Sequence, residues 1–254
     1  MSGKLKEPVG LTDWPLGYGR QVLAEVDSTM AEAARQAKGL AGPTWICALR
    51  QTAARGRRGR AWVNPEGNFA ATLVLPTTDA PEKRALRSFV AALALFDAFV
   101  AVSGRVDGLS LKWPNDVLLT GGKVAGILLE SIGSHLAIGI GVNLIAAPTS
   151  SEVEERAVAP VSVLSALGVK VAPEMFLDIL AEAYAKHEAQ FITYGFAPIR
   201  EAWLARAARL GEVVTARMGD REVTGTFEAV DVDGRIVLNT AAGRQAIAAA
   251  DIFF

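Results

Sequence analysis

The residues between Arg50 and Arg60 include five arginines (Arg50, Arg55, Arg57, Arg58 and Arg60) and no acid. Gly56 and Gly59 interrupt any helix there, and the flanking apolar runs read as strands. The spacing predicts a loop between two sheet elements, cationic enough to take up an anion and to close around it. Two further features share that chemistry. Lys123 follows a Gly121-Gly122 turn at the start of an apolar run, and Lys112-Trp113-Pro114-Asn115-Asp116 forms a compact polar cluster just before it. Gly126 lets a ligand or another backbone approach closely.

Other chemistries find no support. Gly121-Gly122-Lys123 lacks the spacer and following hydroxyl of a P-loop. Gly139-Ile140-Gly141-Val142-Asn143 is half of a dinucleotide fingerprint. His135 and His187 stand far apart in sequence, which argues against a protein-caged metal and against a Ser-His-Asp triad. Cys47 is the only cysteine and lies in an apolar run, so it reads as a buried hydrophobe. What remains is a set of Arg, Lys, Asn, Gln and Trp side chains. Such a set works by positioning reactants and neutralising anions. Joining a carboxylate to the α-phosphate of ATP, with Mg2+ present and pyrophosphate leaving, is a reaction of that kind.

The elements that must hold these residues read as follows. Gln21–Val26 is a strand, and Asp27-Ser28-Thr29 opens a helix to Ala37, with Thr29 and Glu32 spaced as a capping box. Ser28 and Thr29 either cap that helix or clamp a polar ligand. Strands are expected at Thr44–Arg50 and Asn68–Leu75, and a helix from Pro81 to Val102 with Leu86, Phe89, Val90, Leu93, Phe96 and Val100 as its core stripe. Leu109–Trp113, Val117–Leu119, Lys123–Ile132 and His135–Val142 follow as strands without intervening helices, which points to a mixed or antiparallel sheet in an α+β domain. Residues 148–160 read as a loop, and Pro173–Tyr194 and Ala197–Ala208 as helices. Four short strands after Gly211, ending with Ala246–Phe254, suggest a small separate β-barrel. The expected domains are residues 1–209 and 210–254.

Net charge is −1 and 51% of residues are apolar, so the arginine loop is a local device on a well-cored protein. No leader-like or membrane-spanning run stands out, and the expected location is the cytosol, with no membrane partner.

Taken in order, Arg55-Gly-Arg-Arg-Gly-Arg-Ala-Trp62, Lys112-Trp-Pro-Asn-Asp116, Lys123-Val-Ala-Gly-Ile127 and Gly139-Ile-Gly-Val-Asn143 closely resemble the biotin–protein ligases. The resemblance covers roughly residues 15–254. It implies a class II synthetase-like catalytic domain followed by an SH3-like barrel, and synthesis of biotinyl-5′-AMP from biotin and MgATP. It further implies transfer of biotin to a lysine of a biotin carboxyl carrier domain. By position, it places Ser28, Thr29, Gln51, Arg55, Gly56, Arg57 and Lys123 on biotin or its adenylate. Arg58, Arg60, Trp62, Asn115 and Asn143 fall at the nucleotide, with Arg57, Lys123, Lys112 and Asp116 carrying the chemistry. Asp116 is a candidate proton acceptor for the attacking lysine.

Two residues depart from the pattern of that family. Ala54 stands where Gly is usual, and Met30 where Asn is common. An Ala at a position requiring positive φ costs on the order of 1 kcal/mol. Members that repress transcription carry a helix-turn-helix domain, and the roughly twenty residues before the first strand here are too few for one, so no DNA partner is expected. The resemblance leaves assembly open, up to a homodimer. Lipoyl- or octanoyl-transferring relatives are a rival, although their Arg-Arg, Gly-Gly-Gly and His-Asp pattern is missing. A different rival is an arginine-loop nucleic-acid module with Trp62 as its stacking residue.

Overall fold

The computed structural model describes residues 13–149 and 158–254. Two sheets organise the chain. The first has seven strands in the order β1-β2-β3-β7-β6-β5-β4. These are β1 Gly19–Val26, β2 Thr44–Gln51, β3 Phe69–Pro76, β4 Leu109–Lys112, β5 Asp116–Leu119, β6 Gly122–Ile132 and β7 His135–Val142. Only β1 and β2 pair in parallel, joined by the crossover helix α1 (Thr29–Gln36). The remaining pairs are antiparallel, so the sheet is mixed, as consecutive strands without helices implied.

Alternation along the strands sends residues to two faces with different jobs. On one face, Phe69, Ala71 and Leu73 of β3 and Leu136, Ile138 and Ile140 of β7 join the main core. That core is closed by α3 (Arg87–Ser103), α5 (Pro173–Tyr194) and α6 (Phe196–Leu204). Phe176, Leu180, Tyr184 and Phe191 of α5 are all buried, the stripe expected from their spacing. On the opposite face α1 packs Met30 and Ala33 against Ile46, Val74 and Ala137. Further along, that second face carries Gly126 of β6 and Gly139 and Gly141 of β7, with Met30 of α1 over Gly139 and the Trp62 side chain over Gly126 and Gly141.

The second sheet has five strands, β8 Val213–Met218, β9 Arg221–Val230, β10 Ile236–Thr240, β11 Gly243–Ile247 and β12 Asp251–Phe253, ordered β11-β10-β9-β8-β12. The run that reads as one strand, Ala246–Phe254, is two, because the chain leaves the β10 hairpin after Ile247 and returns to pair β12 with β8. Trp113 Nε1 donates to the Gly234 carbonyl at 3.0 Å and ties the two sheets together.

Other expectations shift in detail. The helix expected from Pro81 to Val102 is broken at Leu86 into α2 (Pro81–Ala85) and α3, which ends on Gly104 at φ 67°. Pro81–Ser103 is long and apolar enough to cross a membrane, with a mean hydropathy of 1.9, yet most of it is buried in the protein. A short helix, α4 (Val163–Leu167), carries no periodic signal long enough to announce it. It is capped by reciprocal bonds between Ser162 and Ser165. The helix expected at Ala197–Ala208 is α6, which stops at Leu204. Most of the 148–160 loop lies outside the described residues. Its last residues return to β6, where Lys123 bridges to Pro160.

Candidate active site

The first wall of the site is the corner from β1 into α1. Ser28 is the N-cap, with extended backbone and no side-chain cap bond, and Thr29 is already helical. The expected Thr29–Glu32 capping box is therefore not formed. Glu32 instead binds Arg35 and Gln36. Thr29 turns to β2, where its N–H donates to Gln51 Oε1 at 2.8 Å and its hydroxyl donates to the same atom at 3.2 Å. Thr72 Oγ1 donates to Thr29 Oγ1 at 2.9 Å. A backbone donor facing Oε1 fixes the amide orientation, so Gln51 presents its Nε2 donors to a ligand. Sequence patterning does not single out Thr72, whose one signal is a lone hydroxyl on the strand face opposite the core.

The second wall is the arginine loop. Arg55 bridges to Ala61, Gly56 N–H donates to Arg60 O at 2.8 Å, and Arg57–Gly59 makes a single 3₁₀ turn. The left-handed residue is Arg58 (φ 57°), followed by Gly59 (φ 72°). Ala54 is not among the positive-φ residues, so the strain expected there falls on Arg58 instead. No acid lies nearby in sequence, but the fold brings one from β12. Arg58 Nη1 donates to Asp251 Oδ2 at 2.8 Å, and Arg60 Nη2 to the same oxygen at 3.4 Å. Arg57 Nη1 stands 3.5 Å from Asp251 Oδ1 and donates to Asn115 Oδ1 at 3.3 Å. Burial lowers the Arg57 pKa from its usual value, against the pull of Asp251 and Asp116.

The third wall is the β4–β5 hairpin with the start of β6. Lys112 and Asp116 face each other across the hairpin, and Lys123 Nζ lies 2.7 Å from Asp116 Oδ1 as an ion pair out of line for a directed hydrogen bond. Lys112 Nζ is 3.8 Å from Oδ2. Burial works to raise the Asp116 pKa, but Lys123 and Lys112 outweigh it and hold the carboxyl below its usual range. Burial also draws Lys112 down from the ordinary lysine value, only partly countered by Asp116. Asn115 is fixed by donating to Ile127 O at 2.5 Å. Asn143 is buried and donates to Val161 O at 3.1 Å, while its Oδ1 has no hydrogen-bond partner.

These walls enclose one cavity of about 270 Å³. Every residue assigned a site role from the sequence lines it except Arg58, which turns to Asp251; Arg50, the first arginine of the run, pairs with Glu25 away from the cavity. Its floor is the glycine face of β6 and β7. The Trp62 indole lies on that floor, where a Cβ added to Gly141 would meet Trp62 Cε2 at 2.5 Å and one at Gly126 would meet Cζ3 at 3.2 Å. Met30 covers Gly139 in the same way. Lys123 Nζ sits 5.6 Å from the Trp62 ring centre, within cation–π range. The cavity thus has a polar hook at one end, cations in the middle, and a flat floor beneath.

A mixed seven-stranded sheet with a small antiparallel sheet beside it, enclosing a cationic cavity, suits a ligase that must bring two anions together. Residues 22–143 match the Biotin/lipoate A/B protein ligase family, and residues 210–254 match the Biotin protein ligase C terminal domain. The biotin–[acetyl-CoA-carboxylase] ligase of Paracoccus denitrificans is 56% identical over 92% of this chain and 99% of its own length. The enzyme of that name from Mycobacterium tuberculosis is 30% identical over 98% of this chain and 97% of its own. The biotin protein ligase of Aquifex aeolicus, solved with biotin and ATP, superposes with a TM-score of 0.82 at 24% identity, covering 92% of this chain and 97% of that one. The chain belongs to the biotin protein ligase family.

Proposed function

We propose that this chain activates biotin with ATP and then transfers it to a protein lysine. The observation that carries the reading is the meeting of Arg57, Lys112 and Lys123 in one cavity with the Ser28–Thr29–Gln51 hook. A bicyclic urea with a carboxylate tail suits that space. Gln51 Nε2 and the Ser28 hydroxyl address the ureido end, with Arg55 and Gly56 along the ring, and the tail runs towards Lys123. The triphosphate approaches from the loop side, with Arg57 at the α-phosphate. Arg58, Arg60 and Trp62 meet the nucleotide end, and Asn115 and Asn143 border the adenylate. The 56% identical relative supports this assignment by its name.

In the first step a biotin carboxylate oxygen attacks the α-phosphorus, and the bond to the bridging oxygen breaks to release pyrophosphate. Two anions must meet, so the barrier falls only if fixed cations offset their repulsion. Lys123 and Arg57 do this, and Lys112 keeps Asp116 from adding an uncompensated negative charge. Asp116 orients the two lysines from between them and is the nearest carboxylate to accept the proton of the attacking amine. Mg2+ would arrive bound to the triphosphate and would draw charge from the leaving pyrophosphate. In the second step a neutral lysine amine of a biotin carboxyl carrier domain attacks the acyl carbon, and AMP leaves.

Biotin-dependent exchange of labelled pyrophosphate into ATP tests the first step. Exchange that needs both biotin and Mg2+ is expected. Exchange that ignores biotin overturns the assignment.

A further inference from the structure

Within the C-terminal sheet, one carboxylate gathers cations from a loop that lies 193 residues before it at Arg58. Asp251 receives Arg58 at 2.8 Å, Arg60 at 3.4 Å and Arg57 at 3.5 Å, and Arg57 Nη2 also reaches the Ala250 carbonyl at 3.5 Å. On its own sheet Asp251 pairs in register with Arg217, whose Nη2 is 3.8 Å away. Asp251 also lines the cavity, beside Arg57 and Arg60. We propose that Asp251 is a positioning residue that latches the arginine loop onto the C-terminal sheet, and that the nucleotide's phosphates take those arginines from it. This rests on the function proposed above.

The charge balance supports exchange over permanent attachment. One carboxylate has two oxygens, and of the three loop guanidiniums that reach them Arg58 stands at 2.8 Å while Arg60 and Arg57 stand at 3.4 and 3.5 Å, so two of the three contacts are long. A triphosphate offers several times the charge and many more acceptor oxygens to the same donors. Arg58 and Arg60 are 45% exposed and can change partners without repacking a core. Asp251 is the least exposed member, partly buried at 16%, and loss of the loop would leave it with fewer cations. Arg217 remains opposite it on β8, so the carboxylate keeps a cation when the loop leaves. Latched and released forms are therefore both accessible, which a two-position element requires.

Trypsin cleavage within residues 55–60, followed by mass spectrometry, reports whether the loop is docked. Without ligand, Asp251→Asn is expected to be nicked several times faster than wild type, and Asp251→Glu at close to the wild-type rate. Inorganic tripolyphosphate should restore protection to the Asn variant. Removing an internal competitor should lower its KM for ATP by about threefold or more, with KM for biotin changed by less than about twofold. A nicking rate unchanged from wild type, or a raised KM for ATP, overturns the latch. Should Asp251→Asn fail to fold, a salt titration of wild type decides, since a latch of half-exposed ion pairs must nick faster as ionic strength rises. Absence of biotin-dependent pyrophosphate exchange in wild type would remove the proposed function alone, because the nicking and tripolyphosphate arms need no biotin.

Discussion

Two arginine clusters in this molecule use the same groups in different proportions. At the start of α3 Arg87, with Lys83 beside it, meets two carboxylates, Asp79 and Glu188. Arg87 donates to Glu188 Oε1 at 2.9 Å and to Asp79 Oδ2 at 2.8 Å, and its guanidinium lies 5.1 Å from the Phe191 ring centre. Tyr184 donates to the other Glu188 oxygen at 3.1 Å. Arg87 and Glu188 are 5% and 3% exposed. At the active-site loop three arginines crowd one carboxylate. The first cluster is satisfied and shut in, and it fixes α3 against α5. The second gathers its arginines around one carboxylate at the surface, half open to water. An enclosed ion cluster makes a structural joint, and an open one can exchange partners.

The largest expected effect breaks the joint. Arg87→Ala strands Glu188 among apolar side chains, and unfolding by urea should show a loss of about 3–5 kcal/mol. Lys123→Ala breaks the site without touching that core. The variant should melt as a folded protein, yet pyrophosphate exchange should fall by about 100-fold or more, as expected when a fixed cation is lost from a water-poor site. Normal exchange in it would remove Lys123 from the reaction. Arg57→Gly should release the adenylate faster, by about tenfold, read as biotin appearing on unrelated lysines in solution.

Acid sharpens the comparison further. Burial pushes the Asp79 pKa up, but Lys83 and Arg87 overcome it and bring the carboxyl to about 2. A folded value below the unfolded one means that the stabilisation is present above the unfolded pKa of about 3.8 and is lost as pH falls towards 2. The gap between the melting temperatures of wild type and Asp79→Asn should therefore be full at pH 5 and shrink steadily below pH 4. The smallest effect belongs to Arg58→Ala. Its half-exposed ion pair should contribute less than about 0.5 kcal/mol to urea stability.

How much is legible in the sequence follows a physical line. Periodicity reveals α5 and the mixed sheet, because apolar spacing reports burial directly. Composition reveals the loop, since Gly and Arg packed so densely have few other uses. The break at Leu86 is hidden because its flanks share one helical stripe. Thr29 reads as a capping residue because spacing alone cannot show that Gln51, on β2, competes for its N–H. Asp251 escapes notice because its partners lie in a different region of the sequence. It is a lone acid in an apolar run, and only the pairing of β12 with β8 aims it at the loop. Ala54 stands out by its difference from relatives, yet the unusual backbone lies at Arg58.

The glycine floor limits how the chamber can be reshaped. Gly126, Gly139 and Gly141 are already as small as a residue can be, and Trp62 and Met30 rest directly on them. No substitution below can therefore make room: a methyl added at Gly141 collides with the Trp62 indole, one at Gly126 crowds it at 3.2 Å, and one at Gly139 has to displace the Met30 thioether. Space for a bulkier acid has to be carved from above, at Met30 or Trp62. A library varied at those two positions should yield enlarged-ligand variants in an ATP-consumption screen, while one varied at the three glycines should yield none.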